Sequence, residues 1–220
     1  MDYEESILYD KRNYWQYYWS LLKKKHMIIL TFVSNDDYNV FLLKCSLFIL
    51  SISLFFAINT LFYRDSTMHN IFSEQGRYNL LYQIPQILYS TMISFVMTLI
   101  LKKLSLSQNE LIKIKNELDQ TKSKKLADES KNCLRIKLYS FFFVGLCFFG
   151  FFWYYISVFS AVYTNTQIYL IKDTLMSFGI SMSYPLIINL FPGLFRLYAL
   201  KSEKKDKKCW FQTGQIISLL

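Results

Sequence analysis

The apolar residues of this chain fall into four blocks, with the charges swept into the gaps between them. A soluble protein spreads its apolar positions periodically, so that one face of each element covers a core. Here each block is about a bilayer thick, which favours membrane crossing over a large buried core. The first block runs from about Leu42 to Tyr63. At 1.5 Å per residue it covers about 33 Å, enough for a ~30 Å hydrocarbon layer. Lys44 lies in its first turn and is expected to snorkel back to the interface, and Arg64 and Asp65 end it.

The second span runs from about Ile84 to Leu101, with Pro85 in the first turn, where the missing N–H costs nothing. Ser90, Thr91, Ser94 and Thr98 fleck one side of it with hydroxyls, which points to contact with protein on that side. The third, Leu138 to about Tyr163, is rich in Phe and ends in Trp153, Tyr154 and Tyr155. Its Ser157 and Ala161 form a small-xxx-small pair that permits close helix approach. The fourth, from about Met176 to Leu200, contains Pro185 and ends near Pro192-Gly193. A proline inside a helix removes a hydrogen bond and crowds the previous turn, so Pro185 is the predicted helix kink.

Between the spans the pattern changes. Trp15, Tyr18, Trp19 and Leu22 share a helical face, with Tyr14 and Tyr17 beside it and Lys23, Lys24 and Lys25 immediately after. Rings next to lysines suit the headgroup layer, so residues 1–38 are expected to hold an interfacial amphipathic helix. In 102–137, Ser107 and Glu110 have capping-box spacing, and Leu111, Ile114 and Leu118 make a short stripe. From Thr121 to Lys131 the segment is polar throughout and is expected to be a solvated or frayed helix. The tail from Lys201 is basic and then ends in Cys209, Trp210, Phe211 and apolar residues.

Charge sets the orientation. Lys and Arg number five in residues 1–41, ten in 102–137 and five in 201–220, against two in 64–83 and one in 164–175. Three rich segments alternating with two poor ones match the positive-inside rule and demand an even number of crossings. The expected topology has both termini and the middle loop cytosolic. The net charge of +9 does not point to nucleic acid, because the basic residues flank apolar spans and form no stripe interleaved with stacking aromatics. The expected partners are a bilayer with anionic lipids, and a second copy or another membrane protein. The residues assigned to lipid headgroups are Lys23, Lys24, Lys25, Lys102, Lys103, Arg135 and Lys137.

The search for chemistry is mostly negative. His26 and His69 stand in no metal-binding spacing, and no phosphate-binding loop or nucleophile elbow is present. No catalytic residue, cofactor site or metal site is assigned. Asp36-Asp37 is read as a helix-capping or loop feature. Cys45, Cys133, Cys147 and Cys209 suggest neither disulfides nor zinc, and Cys133 and Cys209, near the membrane among basic residues, are read as plain thiols ahead of palmitoylation sites. With Asp2, Glu4 and Glu5 at the start, the N-terminus does not read as a cleavable signal, so the first span is expected to direct insertion. As bounded here the spans contain no Asp or Glu, only Lys44 and Arg196 near their cytosolic ends as anchors. That argues against ion-coupled transport.

Five runs resemble a known module: Asp37 to Lys44 (DYNVFLLK), Tyr82 to Ser90 (YQIPQILYS), Lys102 to Ser107 (KKLSLS), Phe151 to Ser157 (FFWYYIS) and Asn165 to Leu175 (NTQIYLIKDTL). They are similar to a multi-spanning membrane module at the C-terminal ends of large, uncharacterised transmembrane proteins of protists. The resemblance covers roughly residues 37 to 200. It implies that the chain is the membrane end of something longer, and it carries over no catalytic or ligand residue.

The expected fold is all-α, a polytopic transmembrane four-helix bundle with an N-terminal amphipathic interfacial helix. Its divisions are the interfacial segment 1–38, a helix pair in 39–101, the basic loop 102–137, a second pair in 138–200 and the basic tail 201–220. The expected function is non-enzymatic, a membrane-anchoring or scaffolding module. The alternative is a channel or pore-forming subunit, with the second and fourth spans lining the pore. A lipid-modifying enzyme is disfavoured, for want of His and acidic clusters.

Overall fold

The computed structural model describes residues 3, 6, 9–33, 37–75, 80–200 and 208–218, with the side chains of 80–83, 109 and 208 excepted. Among the described residues every regular element is helical, and the fold is an all-α bundle. Four helical segments among them have the length and apolarity of membrane spans: Phe41–Leu61, Ile84–Asn116, Gln120–Val162 and Thr164–Leu200. The chain divides into two compact units, Asp36–Ser181 and a second built from Met1–Asn35 with Met182–Leu220.

In the larger unit, helix α2 (Phe41–Leu61) is the central element, flanked by α4 (Leu80–Ser105) and α6 (Gln120–Val162). Leu47, Leu50, Leu54, Phe55, Ala57 and Ile58 are buried along α2. By contrast α4 and α6 present many large apolar side chains outward, among them Leu88, Met92, Phe143, Leu146 and Trp153. Outward apolar residues on helices of this length are what a hydrocarbon solvent demands. Short α3 (Asp65–Ser73) caps one end, packing Met68 and Ile71 with Tyr63 and Leu170.

The loop after α4 differs from expectation. Ser107 makes no side-chain cap at the start of α5 (Gln108–Asn116). Its backbone amide donates instead to the Asn39 side-chain Oδ1 at 3.0 Å, while Glu110 takes the Lys137 ammonium at 3.2 Å. The apolar stripe also stops early, because the helix ends at Asn116 and Leu118 is fully exposed. The polar stretch 121–131 is helical and mostly exposed, the solvated helix expected of it. It forms the first part of α6, continuous with the third span and about 65 Å long in all. The Asp119 carboxylate caps α6 by accepting from the Thr121 amide at 3.0 Å. Ser157 and Ala161 are both exposed on α6.

The fourth span begins earlier than the sequence suggested. Only the 3-10 turn Thr164–Thr166 separates α6 from α7 (Gln167–Ile188), so the expected outer loop 164–175 is mostly helix. At 1.5 Å per residue, α7 alone covers about 33 Å. It contains Pro185, and the helix is interrupted just after it at Asn189, whose amide and side-chain Nδ2 both donate to the Pro185 carbonyl, at 3.3 and 2.7 Å.

The second unit packs α1 (Tyr14–Lys25) and α9 (Lys208–Ile217) on α8 (Leu190–Leu200). The Gln16 side chain closes the start of α1 by accepting from the Asn13 amide at 3.0 Å, and three lysines in the last turn complement the helix dipole. The packed face of α1 is Tyr14, Tyr18 and Leu22, and the two tryptophans expected with them, Trp15 and Trp19, are exposed. Tyr14 donates to the Leu190 carbonyl (3.2 Å) and Tyr18 to that of Leu186 (2.9 Å), and the His26 Nε2 lies 3.1 Å from the Met182 carbonyl. The three acceptors recur every four residues, on the stretch where Pro185 and Asn189 weaken the helix's own ladder.

Candidate functional site

The most concentrated chemistry in the larger unit is a buried polar network where the end of α2 meets the first turns of α4 and α7. Asn59 is its hub, with no exposed surface. The Asn59 Nδ2 donates to the Tyr63 hydroxyl oxygen at 3.1 Å and to the Thr174 hydroxyl oxygen at 3.4 Å. Its Oδ1 accepts from Gln86 Nε2 at 3.2 Å and from the Ser90 hydroxyl at 3.1 Å. Both amide protons and both lone pairs are thereby engaged, so the side chain has one satisfactory orientation. Tyr63 in turn donates its hydroxyl to the Asp173 carboxylate, which is 6% exposed.

Asp173 corrects the sequence reading. With the fourth span started at Met176, no carboxylate fell within a span. The helix begins at Gln167 and carries Asp173 inside it, facing the bundle, while neighbouring Lys172 faces outward. A carboxyl group buried among apolar helices is costly unless hydrogen-bonded, and the Tyr63 hydroxyl supplies a donor. Asp173, Ser177 and Ser181 recur at four-residue spacing on α7 and are all buried. The Thr91 hydroxyl donates to that of Ser181 at 3.1 Å, a second polar link between α4 and α7. Ser90 and Ser94 are buried too, in line with the protein-facing side expected of the second span. Such a network fixes helix register, since sliding any of the three helices strands buried polar groups.

The two cations expected as topology anchors are buried in ion pairs. Lys44, 3% exposed, does not snorkel outward but donates to Asp37 at 3.0 Å. In the other unit Arg196, 4% exposed, binds the Asp10 carboxylate at 2.9 Å, donates to the Arg12 and Asp10 carbonyls, and lies over the Tyr17 ring at 4.7 Å. Arg12 chelates the same carboxylate through Nε and Nη2, each at 2.7 Å. The Arg12 hydrogen bond, opposed by burial and helped by the charge of Arg196, holds the Asp10 carboxyl down at about 2.

The seven residues expected at lipid headgroups differ in exposure. Lys24, Lys103 and Arg135 are exposed, and Lys23 and Lys102 are half-buried. Lys25 is half-buried as well, and desolvation pushes its pKa down. Lys137 is bound internally, donating to the Leu106 carbonyl at 2.9 Å and to Glu110. Among the described residues no three His, Cys, Asp or Glu side chains gather as a metal site, and the four cysteines are free thiols, with Cys133, Cys147 and Cys209 exposed.

No family model, curated protein or solved structure matches the chain, and nothing in the comparisons bears on the protist membrane module that its motif runs resemble.

Proposed function

We propose that this chain is a multi-pass integral membrane module that anchors or scaffolds, without enzymatic activity, with both termini and the 102–137 loop in the cytosol. The observation that carries the membrane reading is the set of four spanning-length helices with apolar side chains turned outward. The orientation rests on the twenty Lys and Arg of the three proposed cytosolic segments. With α7 beginning at Gln167, the loop between the third and fourth spans shrinks to a turn without any basic residue, which sharpens the contrast. The anchoring role draws on the closed network around Asn59, which suits a rigid bundle, and on exposed Lys24, Lys103 and Arg135 as contacts to anionic headgroups.

The chain contains no N-x-[ST] sequon, so introduced glycosylation acceptors report without background. An acceptor placed after Met68 is expected to be modified in microsomes, and one after Lys124 or beyond Leu220 is not. Modification beyond Leu220 would leave three or five crossings and sink the four-span reading.

One observation favours a second reading, a channel or pore-forming subunit: the buried polar column Asp173, Ser177 and Ser181, with Thr91 of α4 bonded to Ser181. Ion flux through liposomes holding the purified chain separates the two, since an anchor gives none above empty vesicles.

A further inference from the structure

Asp65, Met68, His69 and Phe72 recur at the spacing of one helical face of α3, and that face looks onto the turn between α6 and α7. The two walls bound a cleft of about 330 Å³. Its floor is fixed, because Met68 is buried in a cluster with Tyr63, Ile71 and Leu170. The opposite wall is fixed as well. The Thr166 amide and hydroxyl both donate to the Tyr163 carbonyl, at 3.1 and 3.0 Å, and the Tyr163 ring packs on Phe159 at 4.8 Å. The Tyr163 hydroxyl donates across the cleft to Asp65 Oδ1 and ties the walls together.

Three polar side chains of the cleft keep unused bonding capacity. Among the described residues nothing bonds to Asp65 Oδ2, to the His69 ring or to the Asn165 side chain. They offer a carboxylate oxygen, an imidazole nitrogen and an amide oxygen as acceptors, beside the half-exposed Phe72 ring. Asp65 is the one carboxylate among the lining residues, and no lysine or arginine joins it; Arg64, next in sequence, is exposed and does not line the cleft. A carboxylate with neutral acceptors and an aromatic ring is the chemistry that holds an ammonium group. Each N–H finds an acceptor, and the ring adds a cation–π contact. An anionic ligand would meet Asp65 with like charge. A transition metal would find two ligands, Asp65 and His69, where a site needs three or more, and among the described residues no such trio gathers.

We propose that the cleft between α3 and the α6–α7 turn binds a primary ammonium group, with Asp65 as its charge partner and Asn165 and His69 as acceptors. The ammonium comes from a free amine or from the headgroup of an ethanolamine phospholipid. The second source follows from the place of the cleft. It adjoins the ends of α2 and α6 and the start of α7, so in the four-span arrangement it lies among headgroups. The lipid source rests on the membrane reading above, and the site itself does not.

The full chain in maltoside micelles is titrated with ethanolamine, and with neutral ethylene glycol for comparison, under saturation-transfer NMR. Ethanolamine is expected to give a saturable signal that ethylene glycol does not. Asp65→Asn is expected to raise the half-saturation concentration about fivefold, since the amide keeps an acceptor for Tyr163 and loses the charge. Phe72→Ala and Asn165→Ala, at exposed side chains, are each expected to raise it about twofold to fivefold. Tyr163→Phe breaks the tie between the walls and leaves the carboxylate, so it is expected to stay within about twofold of wild type. No saturable signal, an equal one from ethylene glycol, or an unchanged one in Asp65→Asn overturns the proposal. A loss in Tyr163→Phe as large as that in Asp65→Asn makes the pair a structural tie and also overturns it, as does a saturable response to zinc with none to ethanolamine. Should Asp65→Asn fail to fold, Phe72→Ala and Asn165→Ala decide, and no change in either sinks the site. Vesicles separate the two sources. Ethanolamine binding in phosphatidylglycerol vesicles but not in phosphatidylethanolamine vesicles assigns the cleft to the lipid headgroup, and equal binding in both assigns it to a free amine. Binding in micelles but in neither kind of vesicle overturns the proposal for the membrane-seated chain. Failure of the membrane reading shows in the glycosylation scan and leaves the micelle result untouched.

Discussion

Replacing Asn59 with Leu tests whether the buried network holds the larger unit together. Leucine matches the amide roughly in volume and removes four side-chain hydrogen bonds, to Tyr63, Thr174, Gln86 and Ser90. Side-chain hydrogen bonds between membrane helices average about 0.6 kcal/mol each, so the simple sum is about 2.4 kcal/mol. Two partners keep alternatives. With Asn59 gone, the one Ser90 hydroxyl proton turns to the Gln86 carbonyl, 2.8 Å away, and Gln86 Nε2 lies 3.4 Å from the Asn59 backbone oxygen, which the substitution leaves in place. The expected loss is therefore about 1.5–2 kcal/mol, roughly a tenfold to thirtyfold rise in the unfolded fraction. Unfolding in mixed micelles, followed by helical circular dichroism, measures it. Ser53→Ala is the control. That hydroxyl faces outward on the same helix and donates to the Ile49 carbonyl at 3.0 Å, so its removal costs little. If Asn59→Leu unfolds within about 0.5 kcal/mol of Ser53→Ala, the network contributes packing only and the argument from hydrogen bonding is wrong.

Gly193→Ala should destabilise the smaller unit by about 1–3 kcal/mol, because the new Cβ would stand 2.7 Å from the Tyr14 ring. Tyr14→Ala in the same chain should recover much of that loss, whereas Gly150→Ala, with nothing within 4 Å of its Cβ, should be neutral or stabilising. Thermal unfolding of the wild type, Gly193→Ala, Tyr14→Ala, the double variant and Gly150→Ala decides it, and additive losses for Gly193 and Tyr14 would refute the clash. The depressed Asp10 carboxyl carries a pH signature. A folded pKa of about 2 against an ordinary 3.8 gives stability that is complete above pH 4 and is lost as pH falls toward 2. Asp10→Asn lacks this titration, so the gap between wild type and variant should close over that window, and a pH-independent gap would count against the ion cluster.

The four long apolar helices were legible because length and apolarity are read along one dimension, and neither depends on which helix packs on which. The end of the fourth span at Leu200 and the boundaries of the first, near Leu42 and Tyr63, follow from that alone. The start of the fourth did not. Lys172 and Asp173 look like loop residues in one dimension, and only the fold separates them, one outward and the other onto Tyr63. A signal was present in Asp173, Ser177 and Ser181, a polar row at helical spacing. Reading it required partners ninety residues away, Thr91 for Ser181, and more than a hundred away, Tyr63 for Asp173.

Lys44 and Arg196 show the same limit in another form. As isolated cations at the ends of apolar segments, both read as anchors reaching for water. Their carboxylates, Asp37 seven residues before one and Asp10 far before the other, turn them into buried pairs. Hydropathy and charge bias act on each segment against its solvent, so the sequence by itself determined an all-α chain with four spanning blocks and an expected side for each loop. Which polar group meets which depends on side chains brought together from distant segments. The Asn59 hub, the clasp of Tyr14 and Tyr18 on α8 and α7 and the return of α9 along α8 were decided only by tertiary packing.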